Sequence, residues 1–155
     1  MTSVPFRSDI LSLDPPGLKG GVCTACGAVS FPLRRFCPTC GVLDGLRETL
    51  LSNEGVVYSY TIVHQAPPPW QVPYILAYID LPEQVRLLAR IAGVDTSAVY
   101  VGMAVQLRLT PWELRDPTSA IEMLSYEFHP KADESAQLTS HDELAHVPAG
   151  MTGHE

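Results

Sequence analysis

A chain of 155 residues has room for one ordinary domain, or for a small core with a metal-stapled module beside it, and excludes a long multidomain enzyme. Residues of the AVILMFWYC set make up 46%, which excludes global disorder; only 17% are charged, so neutral and apolar groups cover more surface than usual unless a partner does so. The formal charge of −7, from 10 basic and 17 acidic residues, gives no general attraction to phosphate backbones or anionic lipid.

Residues 1–21 contain Pro5, Pro15, Pro16 and the glycines Gly17, Gly20 and Gly21, and read as an extended N-terminal arm with little structure of its own. Residues 22–45 carry every cysteine and are dense in turns. Residues 46–130 read as a β domain. Its first long strand runs through Val56, Val57, Tyr58, Tyr60, Thr61, Ile62 and Val63, whose branched and aromatic side chains favour a pleated backbone. Pro67, Pro68 and Pro69 lack backbone donors and place Trp70 on a projecting loop. Two further strands, PYILAYIDL and QVRLLARIAGV, lie close enough across Pro82, Glu83 and Gln84 for an antiparallel hairpin. Val85, Leu87, Ala89 and Ile91 alternate with Arg86 and Arg90, as on a half-buried strand.

Asp95 to Val101 suit a short turn or helix, after which AVQLRLTP and AIEMLSYEFHP supply a fourth and a fifth strand. Five strands with one longer connection before the fourth suggest a small closed Greek-key barrel, free of sheet edges. Residues 131–155 form a polar C-terminal extension, with a short capped helix expected near SHDELAHV.

The four cysteines stand as Cys23-x2-Cys26 and Cys37-x2-Cys40, and Gly27 and Gly41 follow the two pairs, where they let the chain turn back so that amides point at the thiolates. Two such units offer four soft sulfurs to one tetrahedral ion, with no position left for water or substrate. Structural zinc is the expected occupant; iron fits the same four sulfurs, and a redox dithiol would require one pair to stay metal-free. Lys19, Arg34 and Arg35 lie near enough in sequence to offset the charge of a zinc tetrathiolate, and solvation is their plainer role. The absence of any long apolar run or signal-like opening points to the cytoplasm, whose reducing conditions favour metal thiolates over disulfides.

With every thiol committed to metal, a covalent thioester on this chain is not expected, and there is no nucleophile elbow, phosphate loop or HExxH motif. His64, at a strand end, has no nucleophile beside it and reads as a solvent- or partner-facing imidazole. His141 and His146 are five apart, which points them in different directions on a helix; with His154 they read as tail residues, and Asp133-Glu134 and Asp142-Glu143 as solvated charge. A single-stranded nucleic-acid surface is the alternative for a ribbon beside a barrel, with Tyr58, Tyr60, Tyr74, Tyr78 and Trp70 as stacking faces and Arg86, Arg90 and Arg108 on phosphates. The acidic balance and the lack of a basic cluster make it secondary to packing roles for the same rings.

The segments CTACGAVSFPLRRFCPTCG, GVVYSYTIVHQAP, VPYILAYIDLPEQVRLLARIAGV, GMAVQLRL and YEFHP, in order from Val22 to Pro130, resemble an acyl-CoA-associated family. In that family a rubredoxin-like zinc ribbon is joined to an OB-fold domain, and the protein accompanies thiolase-like enzymes. The resemblance implies a mainly β fold, with a rubredoxin-like zinc ribbon joined to a five-stranded OB-fold barrel, and Cys23, Cys26, Cys37 and Cys40 as zinc ligands. It further implies a non-catalytic accessory subunit, in a hetero-oligomer with a thiolase-like acyltransferase or C–C bond-cleaving catalytic subunit that supplies the nucleophile. Acyl-CoA would lie at the interface of that complex, and Tyr60, His64 and Trp70 occupy the first strand and loop where partner or substrate-channel contact is expected. A stand-alone acyl-CoA-binding module is the other alternative. The short, proline-interrupted arm departs from the longer helical hairpin that opens many members, and the extension after Pro130 is a second departure.

Overall fold

The computed structural model describes residues 2–112 and 121–132. The short helix expected near SHDELAHV, the tail histidines and the tail acidic pairs lie outside them. The described residues form ten strands and no helix. The first five are β1 (Thr2–Pro5), β2 (Leu11–Leu13), β3 (Pro16–Cys23), β4 (Val29–Ser30) and β5 (Leu46–Leu50). The others are β6 (Glu54–Val63), β7 (Tyr74–Asp80), β8 (Arg86–Ile91), β9 (Ala104–Pro111) and β10 (Ile121–Pro130).

The barrel strands form where branched and aromatic residues alternate with polar ones. Strand β7 pairs antiparallel with both β6 and β8, β9 with β6 and β10, and a parallel contact of β10 with β8 at Phe128 and Ile91 closes the circuit. This is the five-stranded barrel expected of the sequence. Leu87, Ala89 and Ile91 point inward against Ile75, Ala77 and Ile79, and Phe128, Val105 and Val57 fill the centre. A register shift between Val57 and Ser59 bulges β6 and leaves Tyr58 without a partner on β7. The β7–β8 hairpin turns through Pro82, Glu83 and Gln84 as its spacing requires, with Leu81 N–H donating to Val85 O at 2.8 Å. Asp95 to Val101 make turns rather than a helix, the first held by Asp95 accepting from Ser97 N–H.

The expectation of an N-terminal arm with little structure is corrected. Strand β1 runs parallel to β10, and β3 is the centre of a second sheet, paired with β2, β4 and β5. The glycines that suggested a loop are there for close approach. A Cβ on Gly20 would stand 2.7 Å from Ser30 O and 2.8 Å from Leu51 Cδ2, and one on Gly21 would stand 2.6 Å from Leu33 Cδ1. Pro16 sits at the first strand position, where its missing donor costs no ladder bond. Gly20→Ala is therefore expected to destabilise the protein by about 1–3 kcal/mol through overpacking against backbone, read as a lower urea midpoint at unchanged slope.

The two sheets share one core. Ile10 in the turn before β2, Leu11 and Leu18 of the N-terminal sheet and Leu51 of the connection join the barrel residues Val57, Ile79, Val105 and Phe128 in a single buried cluster. The connection is stitched to both sides. Leu51 N–H donates to Leu18 O at 2.9 Å, Ser52 N–H to Glu83 Oε1 at 2.7 Å, Asn53 Nδ2 to Pro16 O at 2.9 Å, and Leu107 N–H to Asn53 O at 2.7 Å.

Candidate functional site

Cys23 ends β3, Cys26 and Cys37 lie in the turns on either side of β4, and Cys40 follows. Each pair folds into the same tight turn. Gly27 N–H donates to Cys23 O and Gly41 N–H to Cys37 O, both at 2.9 Å, while Cys23 N–H reaches Ala28 O and Cys37 N–H reaches Val42 O. Gly27 and Gly41 have φ of 75° and 76°, the left-handed conformation glycine adopts without a Cβ penalty, so the turns depend on them. Cys23 and Cys37 are buried, Cys26 and Cys40 exposed.

All four sulfurs lie within 4.8 Å of one another, with Cys23 Sγ to Cys40 Sγ at 3.7 Å and Cys26 Sγ to Cys37 Sγ at 3.6 Å. A tetrahedral ion with zinc–sulfur bonds of about 2.3 Å sets its sulfurs about 3.8 Å apart, so the donor set fits zinc in type, number and spacing. The Cys40 N–H, with that of Thr39, brings the Cys37 thiol down to about 6 against the effect of burial. The Cys26 N–H similarly lowers Cys23. At Cys26 the Ala28 N–H favours the thiolate, yet the three other sulfurs and burial together push it up to about 12. Four sulfurs this close cannot all ionise alone, and a divalent cation removes the conflict. Lys19 pairs with Glu48 at 3.7 Å, Arg35 with Asp44 at 3.3 Å, and Arg34 is exposed.

The residues expected to make external contacts separate. Tyr60 on β6, 39% exposed, stands opposite Ala77, and His64 is exposed just beyond that strand. Among the described residues, no hydrogen bond or ring contact joins either of them to Trp70. Trp70 does not project. It is half-buried, its indole 6.2 Å from that of Trp112 in an edge-on arrangement and 6.4 Å from the Tyr74 ring. Phe6 stacks on Trp112 at 4.8 Å and meets Tyr126 at 6.3 Å, and the Arg90 guanidinium lies 5.1 Å from the Tyr74 ring. Aromatic rings from four distant segments thus line a cleft of about 220 Å³ against β8. Phe6, Trp112 and Tyr126 carried no local signal of this role; only strand pairing brings them together. Burial raises the Tyr126 hydroxyl above its ordinary value, with Arg7 opposing.

On the outer barrel face Val56, Tyr58, Tyr78 and Leu88 are exposed. Arg86 lies 3.3 Å above the Tyr58 ring and makes two hydrogen bonds to Asp80, at 2.6 and 2.9 Å. Arg86 is therefore already engaged. Its hydrogen bonds hold the Asp80 carboxyl below the ordinary value, so the pair stabilises above the unfolded carboxylate range and its contribution is lost as pH falls through the lowered value. Asp80→Asn is expected to cost less than about 1 kcal/mol at neutral pH because both side chains are partly solvated. The gap to the parent protein should close in acid, as urea unfolding at the two pH values would read.

Two family models match in sequence. Residues 12–44 match the rubredoxin-like zinc ribbon domain of ChsH2, and residues 48–110 match the ChsH2 C-terminal OB-fold domain. A DUF35 domain-containing scaffold protein of Methanocaldococcus jannaschii is 41% identical over 91 residues, 57% of this chain and 64% of that protein's length. The benzoylsuccinyl-CoA thiolase subunit BbsA of Thauera aromatica is 31% identical over 127 residues, 79% of this chain and 85% of the relative. A solved structure described as the Ltp2-ChsH2(DUF35) aldolase superposes with a TM-score of 0.61 at 30% identity, covering 74% of this chain and 84% of that one. The ribbon with its four converging sulfurs, the barrel behind it and the order in which the chain builds them make this protein a member of the DUF35 family of ChsH2-type zinc-ribbon and OB-fold proteins.

Proposed function

We propose that this chain is a non-catalytic, zinc-binding accessory subunit of a thiolase-like acyl-CoA acyltransferase or C–C bond-cleaving thiolase complex. It supports assembly there, and acyl-CoA lies at the complex interface. The observations that carry the reading are the ribbon and barrel in tandem around a shared core and the sequence similarity along 85% of a relative named as a thiolase subunit. Cys23, Cys26, Cys37 and Cys40 hold one zinc in a closed site. The ion supplies rigidity and no open coordination position, and the chain has no fifth thiol to act as a nucleophile. The catalytic companion supplies the nucleophile and the acid–base groups.

Surface composition supports a covered face. Phe36, Tyr58, Tyr78 and Leu88 are about half exposed and Leu43 more so, and aromatic residues such as Phe36, Tyr58 and Tyr78 anchor interfaces. The purified chain alone is expected to turn over no short or aromatic acyl-CoA. Affinity purification from native cells is expected to recover a thiolase-like companion, and the recovered complex is expected to be active. A strictly monomeric native protein without such a companion would reject the reading, as would turnover by the isolated chain that survives removal of trace companion. In the same assay Trp70→Ala separates the roles of that side chain: unchanged assembly with altered activity assigns it to the substrate side rather than to anchoring.

A further inference from the structure

We infer that the cleft between β8 and the start of β10 is a binding subsite for a single flat, largely apolar ring, and that it receives the ring of a ring-bearing acyl thioester; the thioester part of this inference rests on the function proposed above. The barrel wall is open at this place. Strands β8 and β10 share only the Phe128–Ile91 pair, so Leu88 to Arg90 and Ser125 to Glu127 face each other across a gap without ladder pairing. The aromatic rings gather at this opening. Phe6 follows β1, Trp70 comes from the β6–β7 connection, Trp112 from the end of β9 and Tyr126 from β10. In an OB-fold the connection between the first two barrel strands, here β6–β7 with Trp70, flanks the ligand face of the barrel.

Core packing alone would bury such rings, and Phe128 shows that this barrel can do so completely. Phe6, Trp70, Trp112 and Tyr126 are each only half-buried and line the cleft, with Phe6 stacked on Trp112 and Trp70 edge-on to it. Rings presented in this way favour offset or edge-on contact with another ring. Size narrows the ligand. The cleft of about 220 Å³ lies below the range of pockets that enclose a whole cofactor or drug-sized molecule. It exceeds the roughly 150 Å³ that accommodates benzene in an engineered protein cavity, which leaves space for one substituted ring. Thr110 at the wall offers a hydroxyl for a carbonyl or hydroxyl substituent, while Glu127 is paired with His129 and Arg90 lies against the Tyr74 ring, and most of the lining is apolar.

The chain contains only two tryptophans, and both line this cleft, so indole emission reports on its occupancy. The test titrates the zinc-loaded full chain with benzoyl-CoA, acetyl-CoA and CoA, exciting at the red edge of the indole band, where adenine does not absorb. Saturable quenching by benzoyl-CoA is expected at concentrations at least about tenfold below those needed for acetyl-CoA or CoA, the discrimination that apolar pockets achieve for a group of this size. Thr110→Phe fills the cleft without removing a ring from its wall, and Leu88→Phe does so from an exposed position that folding tolerates. Both variants are expected to lose the benzoyl preference while keeping the parent melting temperature. Equal binding of benzoyl-CoA and CoA, no saturable quenching by any of the three, or full benzoyl preference in a folded filling variant would overturn the inference. Recovery of the catalytic companion is read separately. A chain that binds the companion without ring preference sinks this inference alone, and a ring-selective chain with no companion sinks the accessory reading alone.

Discussion

Cys37→Ser is expected to abolish metal binding and most soluble, folded protein. Cys37 is buried, its thiol is brought down to about 6 by the Cys40 and Thr39 amides, and its Sγ lies 3.6 Å from that of Cys26. A serine hydroxyl at that place is a poor ligand for zinc and stays protonated at neutral pH, so only three sulfurs would remain to hold the ion. Beyond β4, the segment from Phe36 to Gly45 is held by one isolated bridge, Phe36 to Leu43, and by the exposed Arg35–Asp44 pair. The ribbon's apolar cluster consists of Cys23, Cys37 and Leu46 with Ala28 and Val42 packed alongside, and two of the three buried members are ligands. Structural zinc contributes folding free energy outright, so loss of the ion is loss of the module. Metal analysis should fall from about one equivalent per chain to a small fraction of that, and strong chelation of the parent protein should reproduce the defect. A folded, metal-free Cys37→Ser protein would remove zinc from its structural role.

Leu18→Ala is expected to destabilise the whole protein by about 2–5 kcal/mol, the range for truncating a fully buried leucine to alanine. Leu18 is 0% exposed and belongs to β3, yet it packs in the core that also holds Val57, Ile79 and Phe128 of the barrel. The ribbon sheet therefore works as a plug for the barrel. The physical consequence is cooperativity: a cavity at Leu18 should lower one common unfolding transition instead of releasing the ribbon first. Circular dichroism of the barrel strands and release of zinc to a colorimetric chelator, followed in one urea titration, should report coincident midpoints in both the parent and the variant. Two separated transitions in the parent would show that ribbon and barrel fold independently and would confine the effect of Leu18 to one of them.

The metal cluster was legible because its determinants are local. Two CxxC turns, each followed by a glycine, close on themselves through Gly27 N–H to Cys23 O and Gly41 N–H to Cys37 O, so spacing alone reports the geometry. The barrel strands were legible for a related reason. Alternation in Val85, Leu87, Ala89 and Ile91 is the pleat itself, and β7 to β10 appear where that alternation and the intervening turn residues place them. The same local logic misread the N-terminus. Glycine and proline between Pro15 and Gly21 signal a loop when considered alone, and they form β3 because Ser30, Leu33 and Leu51 come too close for any Cβ at Gly20 and Gly21.

The sequence by itself determined the four-sulfur site, the five barrel strands and the absence of a nucleophilic thiol to spare, since each follows from residue type and short-range spacing. Tertiary structure alone decided that Trp70 turns back to meet Trp112, that Phe6 and Tyr126 complete the cleft, and that Leu11 and Leu18 plug the barrel. Those partners lie tens of residues apart in the chain. Their meeting depends on the closure of β10 against β8, the parallel docking of β1 on β10 and the bulge at Tyr58, none of which leaves a periodic or compositional trace.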